Sequence, residues 1–167
     1  MDRFVKLVGE ENVMKCFTDG ACIHNGKHNA KASYAVVWPD HEDMNIANLL
    51  EGSMQTNNRA EYTGIITALE QAELLDPEHK KTLVVYTDSM LVIKSMTEWL
   101  HGWKKKGWKK ADGSPVMNLD LVQELEVRMQ TRKTVFKHVR AHTGGKDYES
   151  VWNDKADRMA SDMLERC

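Results

Sequence analysis

The sequence predicts an α/β domain built on a mixed sheet. Three strand-like runs follow one another early in the chain with short connections, as in an antiparallel meander. From Asn57 the apolar period changes to that of a helix. Two further strand-like runs, Leu83–Tyr86 and Thr134–Val139, then alternate with helical segments. A chain of 167 residues is long enough for one domain with a sizeable core, so residues 1–167 are read as a single unit.

Residues 1–12 read as a polar lead-in, too charged for a signal peptide or an anchor. Met14–Thr18 is the first strand, with Asp19 where it stops and Gly20 opening a turn. Ala21–Lys31 is rich in Asn, Lys and His and reads as a loop. Ala32–Trp38 is the second strand, stopped by Pro39-Asp40, and Asn45–Met54 is the third. Glu61, Ile65, Ala68 and Ala72 then fall at i, i+4, i+7 and i+11, one face of a helix ending near Leu75. Thr56, Asn57 or Asn58 can cap its start. Leu83–Tyr86 ends in Thr87-Asp88-Ser89, and a helix starts at once and runs to about Leu100. Leu119–Met129 is a further helix. Thr134–Val139 is the last strand, Thr143–Ser150 a Gly-containing loop, and Val151–Leu164 the final helix. Asn153, Asp157, Ala160 and Leu164 share one face of it.

Composition narrows the setting. Hydrophobic residues at 41% and charged residues at 29% are an ordinary globular balance. The net charge of -2 gives no global field toward nucleic acid or membrane. Three cysteines suit a reducing compartment, and no stretch approaches membrane-spanning length, so an intracellular protein without a membrane partner is expected. The local charge is different. Five of the eight residues from Trp103 to Lys110 are lysines, interleaved with Trp99, Trp103 and Trp108 and broken by two glycines. That run does not read as a helix with one dry face. It reads as a basic lobe for a phosphate backbone, with aromatics against sugars or bases.

Four carboxylates carry the chemistry. Asp19 alone would be turn chemistry, Asp88 alone a helix cap, and Glu61 alone a complement to the helix dipole. Yet Asp19 and Asp88 both follow Thr at the end of a strand. Glu61 and Asp157 both sit on core-facing stripes near a helix start, where a bare carboxylate is too costly to bury. Four carboxylates gathered over one sheet edge repel unless cations neutralise them. Such an oxygen-rich set suits Mg²⁺, or Mn²⁺ in its place. His142, between a strand and a Gly-Gly loop, is placed to carry protons beside them.

Six short motifs, in order, resemble type 1 ribonuclease H. They are Thr18-Asp19-Gly20-Ala21-Cys22, Asn57-Asn58-Arg59-Ala60-Glu61, Tyr86-Thr87-Asp88-Ser89, the Trp-Lys-Lys-Lys-Gly-Trp-Lys island, Val139-Arg140-Ala141-His142 and Asn153-Asp154-Lys155-Ala156-Asp157. The resemblance spans roughly Val13 to Leu164. It implies a ribonuclease H-like five-stranded mixed sheet flanked by helices, and Mg²⁺-dependent endonucleolytic cleavage of the RNA strand of an RNA–DNA hybrid. It implies that Asp19, Glu61, Asp88 and Asp157 hold two metal ions and that His142 is a mobile proton carrier. Asn25, Asn57 and Asn58 then resemble minor-groove contacts, where 2′-hydroxyls distinguish RNA from DNA. Thr56 and Asn118 fall where the family grips a DNA-strand phosphate. Trp99, Trp103 and Lys104, Lys105 and Lys106 resemble the basic protrusion that binds the same strand.

Three departures stand out. Gly26–Lys31 replaces the family's Pro/Gly-rich turn, Met90 stands where a Gln is common, and the stretch from His142 to Asp157 is longer than usual. The implied reaction is in-line attack of water with two-metal catalysis, leaving 5′-phosphate and 3′-hydroxyl ends, by a monomer needing no small-molecule cofactor. Two rivals are a DNA-cleaving relative such as a junction resolvase and a catalytically dead hybrid-binding module. The Asn57-Asn58 pair and the basic island weigh against the first, and the full set of carboxylates with His142 against the second.

Overall fold

The computed structural model describes residues 3–141 and 144–166. Five strands form one sheet: β1 (Val13–Ile23), β2 (Lys31–Val37), β3 (Ile46–Leu49), β4 (Thr82–Thr87) and β5 (Thr134–His138), in the order β3-β2-β1-β4-β5. The first three pair antiparallel, while β4 and β5 join parallel to β1. The expected mixed sheet is therefore present.

Strand alternation divides the core between the two faces. Met14, Cys16, Val36, Leu83 and Val85 pack with α2 (Asn57–Leu75) and α5 (Leu119–Thr131) through Ile65, Leu69, Val122 and Leu125. Val13, Phe17, Val37, Val84 and Tyr86 face the other way, against α6 (Tyr148–Glu165) and Val5. Leu83–Tyr86 is a continuous apolar run because β4 is covered on both faces.

Several details differ from expectation, among them the start of α6 at Tyr148 within the stretch read as a loop. Residues 1–12 are more than a lead-in: Arg3–Val8 forms helix α1, whose Val5 is fully buried while Phe4 and Val8 pack beside it. β1 does not stop at Asp19 but runs to Ile23, because β2 continues to pair with it after β4 has left. β3 is only four residues long. Beyond it the Gln55 side chain takes over, its amide donating to the Leu50 and Gly52 carbonyls and its carbonyl accepting from Ala32 N–H. Finally, the basic island is helical at its start. Helix α3 (Met90–Lys94) passes through a π-helical turn, Ser95–Trp99, into α4 (Leu100–Lys105), and Leu100 and Trp103 give α4 its dry side.

A buried ion pair locks the far end of α2. Arg132, 3% exposed, bonds the Asp76 carboxylate at 2.6 Å and donates to the carbonyls of Ala72, Asp76 and Lys81. These include carbonyls of the last turn of α2, where a cation also meets the negative end of the helix dipole. Removing one partner leaves the other's charge buried and unpaired. Arg132→Met is therefore expected to destabilise the fold by about 3–5 kcal/mol. Urea unfolding checks this as a lower midpoint at unchanged slope.

Candidate active site and metal centre

Asp19 and Asp88 arrive at the same end of the sheet because β1 and β4 run parallel. Asp19 lies two residues past Phe17, the last β1 residue paired with β4, and Asp88 directly follows the end of β4. The gap opened where β4 leaves β1 is where both side chains gather. Open α/β sheets place sites at such carboxyl ends.

Helix α2 delivers Glu61 to the same point. Thr56 caps it, its hydroxyl accepting from Arg59 N–H at 3.1 Å. The helix can approach so closely only because residue 20 is glycine. A Cβ there would lie 2.9 Å from both Ala60 Cβ and Glu61 N. Gly20 thus serves close packing in mid-strand rather than the turn expected of it. Its N–H also reaches two carboxylates at once, Asp19 Oδ1 at 2.9 Å and Glu61 Oε1 at 3.1 Å.

Among the described residues, Asp19, Glu61 and Asp88 are the acidic group that can hold a metal, with one ligand atom from each within 4.8 Å of the others. Asp19 and Glu61 are each 3% exposed and Asp88 is half-buried. Asp157, partly buried on α6, stands beside them as a hydrogen-bond partner of Asp19. The alternative role for Asp88 is excluded by geometry. The cap of α3 is Ser89, whose hydroxyl accepts from Val92 N–H at 3.3 Å.

Burial pushes the Asp19 carboxyl far above its usual range, and the charges of Glu61 and Asp88 push it further. Burial and the Asp88 charge raise Glu61 as well, against the lowering effect of hydrogen bonds from Asp19 and Gly20. Glu61 Oε2 is buried with no hydrogen-bond partner among the described residues. An oxygen-only donor set, mutual repulsion and an unsatisfied carboxylate oxygen are what a hard divalent cation would satisfy. The residues present therefore fit one.

The residues expected to contact substrate divide between the start of α2 and a groove beside it. Asn25 Oδ1 accepts from Asn57 N–H at 3.3 Å, which ties the loop after β1 to the start of α2. Asn58, Trp99, Trp103 and Asn118 line one groove of about 200 Å³. Lys110, the last residue of the basic island, and Tyr62, which no motif in the sequence singles out, join them there. Trp99, 40% exposed, lies 5.9 Å from the Trp103 ring, whereas Trp103 and Trp108 pack onto the core. Lys104 pairs with Glu126 at 3.1 Å, while Lys105 and Lys106 are exposed. His142 lies outside the described residues.

The raised carboxyl values fix a sign for stability. A group whose folded value exceeds its unfolded value of about 3.9 stabilises the fold at lower pH, and that contribution disappears as pH climbs through the folded value. Without divalent cations, Asp19→Asn is expected to raise Tm at pH 8 and to change it little below pH 4. Saturating Mg²⁺ should reverse the order at pH 8. Thermal melts in EDTA and in Mg²⁺ across that range check it.

A family model described as RNase H matches residues 11–165. Ribonuclease H1 of Rattus norvegicus is 37% identical over 153 residues, which are 92% of this chain and 50% of that protein. Ribonuclease H of Dechloromonas aromatica is 36% identical over 156 residues, covering 93% of this chain and 95% of that protein. The chain thus spans about half the length of the rat relative and nearly all of the bacterial one. Among solved structures, LC11-RNase H1 in complex with an RNA/DNA hybrid aligns with a TM-score of 0.63 at 20% identity, covering 92% of this chain and 97% of that chain. The PFV RNase H domain aligns with a TM-score of 0.71 at 18% identity, covering 95% of this chain and 99% of that chain. Those two alignments carry the fold. The match of residues 11–165, together with relatives at more than 30% identity over nine-tenths of the chain, shows that this chain belongs to the RNase H family.

Proposed function

We propose that this chain hydrolyses the RNA strand of RNA–DNA hybrids as a divalent-cation-dependent endonuclease. The observation that carries the reading is the convergence of Asp19, Glu61 and Asp88, with Glu61 Oε2 buried and without a hydrogen-bond partner among the described residues. Relatives named Ribonuclease H, and a structural neighbour solved with an RNA/DNA hybrid, support the substrate. Asp19, Glu61, Asp88 and Asp157 would hold the cations. Bound there, two Mg²⁺ ions, or Mn²⁺ in their place, would supply Lewis-acid polarisation of the scissile phosphate and of water, with 5′-phosphate and 3′-hydroxyl products.

The chain's own residues do the rest. Gly20 N–H orients one oxygen each of Asp19 and Glu61 and leaves Glu61 Oε2 for the cation. His142 carries a proton to or from the reacting oxygens. Asn25, Asn57 and Asn58 meet the minor groove, where the 2′-hydroxyl selects RNA. Thr56 and Asn118 hold a DNA-strand phosphate. Trp99, Trp103 and the lysine run track the same strand as a stacking and electrostatic platform. One monomer carries the whole set.

Hybrid, duplex RNA, duplex DNA and single-stranded RNA, each with and without Mg²⁺, test the reading. Cleavage of hybrid alone, and only with Mg²⁺, is expected. Cleavage of duplex DNA or of hybrid in EDTA would overturn it. Asp88→Asn is expected to fold and bind hybrid but not cut it, since Ser89 keeps the α3 cap. Near-normal cleavage by that variant would remove Asp88 from the metal site.

The lysines divide by geometry. Lys104 is already paired with Glu126, so the exposed Lys105 and Lys106 should neutralise the phosphates. Replacing both with Ala is expected to flatten the log–log salt dependence of hybrid binding by up to about 0.9 for each phosphate left without its lysine, on a duplex of B-like charge density. Lys104→Ala should flatten it less. Binding titrations over a salt series give the slopes.

A further inference from the structure

Thr56 and Asn118 belong to different helices, and each offers both a donor and an acceptor to any ligand. An anion needs donors only. The two residues share one neighbour, Arg59. Its backbone N–H donates to Thr56 Oγ1 at 3.1 Å, and its guanidinium donates to Asn118 Oδ1 at 3.4 Å. The guanidinium is itself held by a bidentate pair with Asp120, at 2.9 and 2.7 Å, and its side chain is 13% exposed. Residue 59 therefore engages an acceptor oxygen on each, Thr56 through its backbone and Asn118 through the arginine side chain. Each oxygen keeps a second lone pair, but the bond already made turns the acceptor toward Arg59 and leaves the Asn118 amide NH₂ on the opposite side.

The Asn118 backbone adds a second, independent observation. Asn118 stands at the N-cap position of α5 with a left-handed φ of 56°, and its side chain makes no cap bond. An Asn at that position ordinarily caps the helix. Here its carbonyl oxygen is turned to Arg59 instead, and a guanidinium accepts nothing, so that orientation of the amide is fixed by chemistry.

We infer that Arg59 is a positioning residue that sets the polarity of the phosphate grip, its guanidinium holding the Asn118 carbonyl oxygen inward so that the amide NH₂, beside the Thr56 hydroxyl, is presented to a DNA-strand phosphate. This rests on the reading of Thr56 and Asn118 given above. Arg59 touches no substrate in this arrangement. Its contribution is to binding, so it belongs in KM and not in kcat.

The test uses hybrids in which single DNA-strand phosphates are replaced in turn by uncharged methylphosphonates. The parent is expected to lose about tenfold or more in kcat/KM at one position, the scale of a hydrogen bond to a charged group. Arg59→Met, which keeps the backbone N–H to Thr56 but loses the guanidinium on Asn118, should start up to about tenfold lower on the unmodified hybrid through KM, with kcat near the parent's, and should be less sensitive at that same position. Asn118→Asp provides a second variant that keeps the oxygen facing Arg59 but removes the outward NH₂. It should fold as stably as the parent in thermal melts and show the same raised KM. A parent with no sensitive position would sink the phosphate grip, and this inference with it. A parent with one, matched by equal sensitivity in Arg59→Met or by a parent-like KM in Asn118→Asp, would overturn the role of Arg59 alone. If Arg59→Met does not fold, the KM of Asn118→Asp decides.

Discussion

Bringing Asp19, Glu61 and Asp88 within 4.8 Å of one another, with two of them almost wholly buried, is the arrangement on which the rest of the structure depends. Like charges at that range oppose the fold unless something holds them together. Two rigid supports do so. The parallel pairing of β1 with β4 fixes Asp19 and Asp88 at one end of the sheet. The packing of α2 across β1 and β2 fixes Glu61 beside them, through the contact with Gly20. Side chains on loops could swing apart to relieve the repulsion. Asp19 and Glu61 cannot without unpacking a strand or a helix, so the strain is available for a cation to relieve.

The helical half of the site was legible in the sequence because burial and period are linked. Glu61 shares a stripe with Ile65, Ala68 and Ala72, all buried, and Asp157 shares one with Asn153, Ala160 and Leu164. A carboxylate inside an apolar stripe has few explanations. The strand half was less legible. Asp-Gly after an apolar run has the chemistry of a turn, and only the position of α2 shows that Gly20 is a mid-strand glycine serving close approach. Asp88 has the chemistry to cap the next helix, and only the hydrogen bond from Val92 N–H to Ser89 Oγ shows that its neighbour caps it instead.

Other features were hidden for identifiable reasons. Helix α1 rests on one fully buried side chain, Val5, which leaves no period to read in six residues. The end of β3 is set by the Gln55 side chain, whose bonds to Leu50, Gly52 and Ala32 are not local to the strand. Arg132 is a charged residue in a polar stretch of sequence, yet it is buried against the end of α2. Arg59 likewise stands out in the sequence only as a member of a motif. Its partners Asn118 and Asp120 are about sixty residues away along the chain.

The start of α2 concentrates these roles in six residues, Thr56 to Glu61. Thr56 caps the helix, Asn57 receives Asn25, Arg59 holds Asn118 and Asp120, Ala60 meets Gly20, and Glu61 enters the carboxylate cluster. Successive helical residues point in directions about 100° apart, so one turn can face the sheet, the carboxylate cluster and the groove lined by Asn58 and Asn118 together. The far end of the same helix is anchored by Arg132 and Asp76. A helix pinned at both ends fixes the distance between where a strand would be gripped and where it would be cut. A rigid spacing of that kind favours a duplex whose groove geometry matches it, before any single contact distinguishes RNA from DNA.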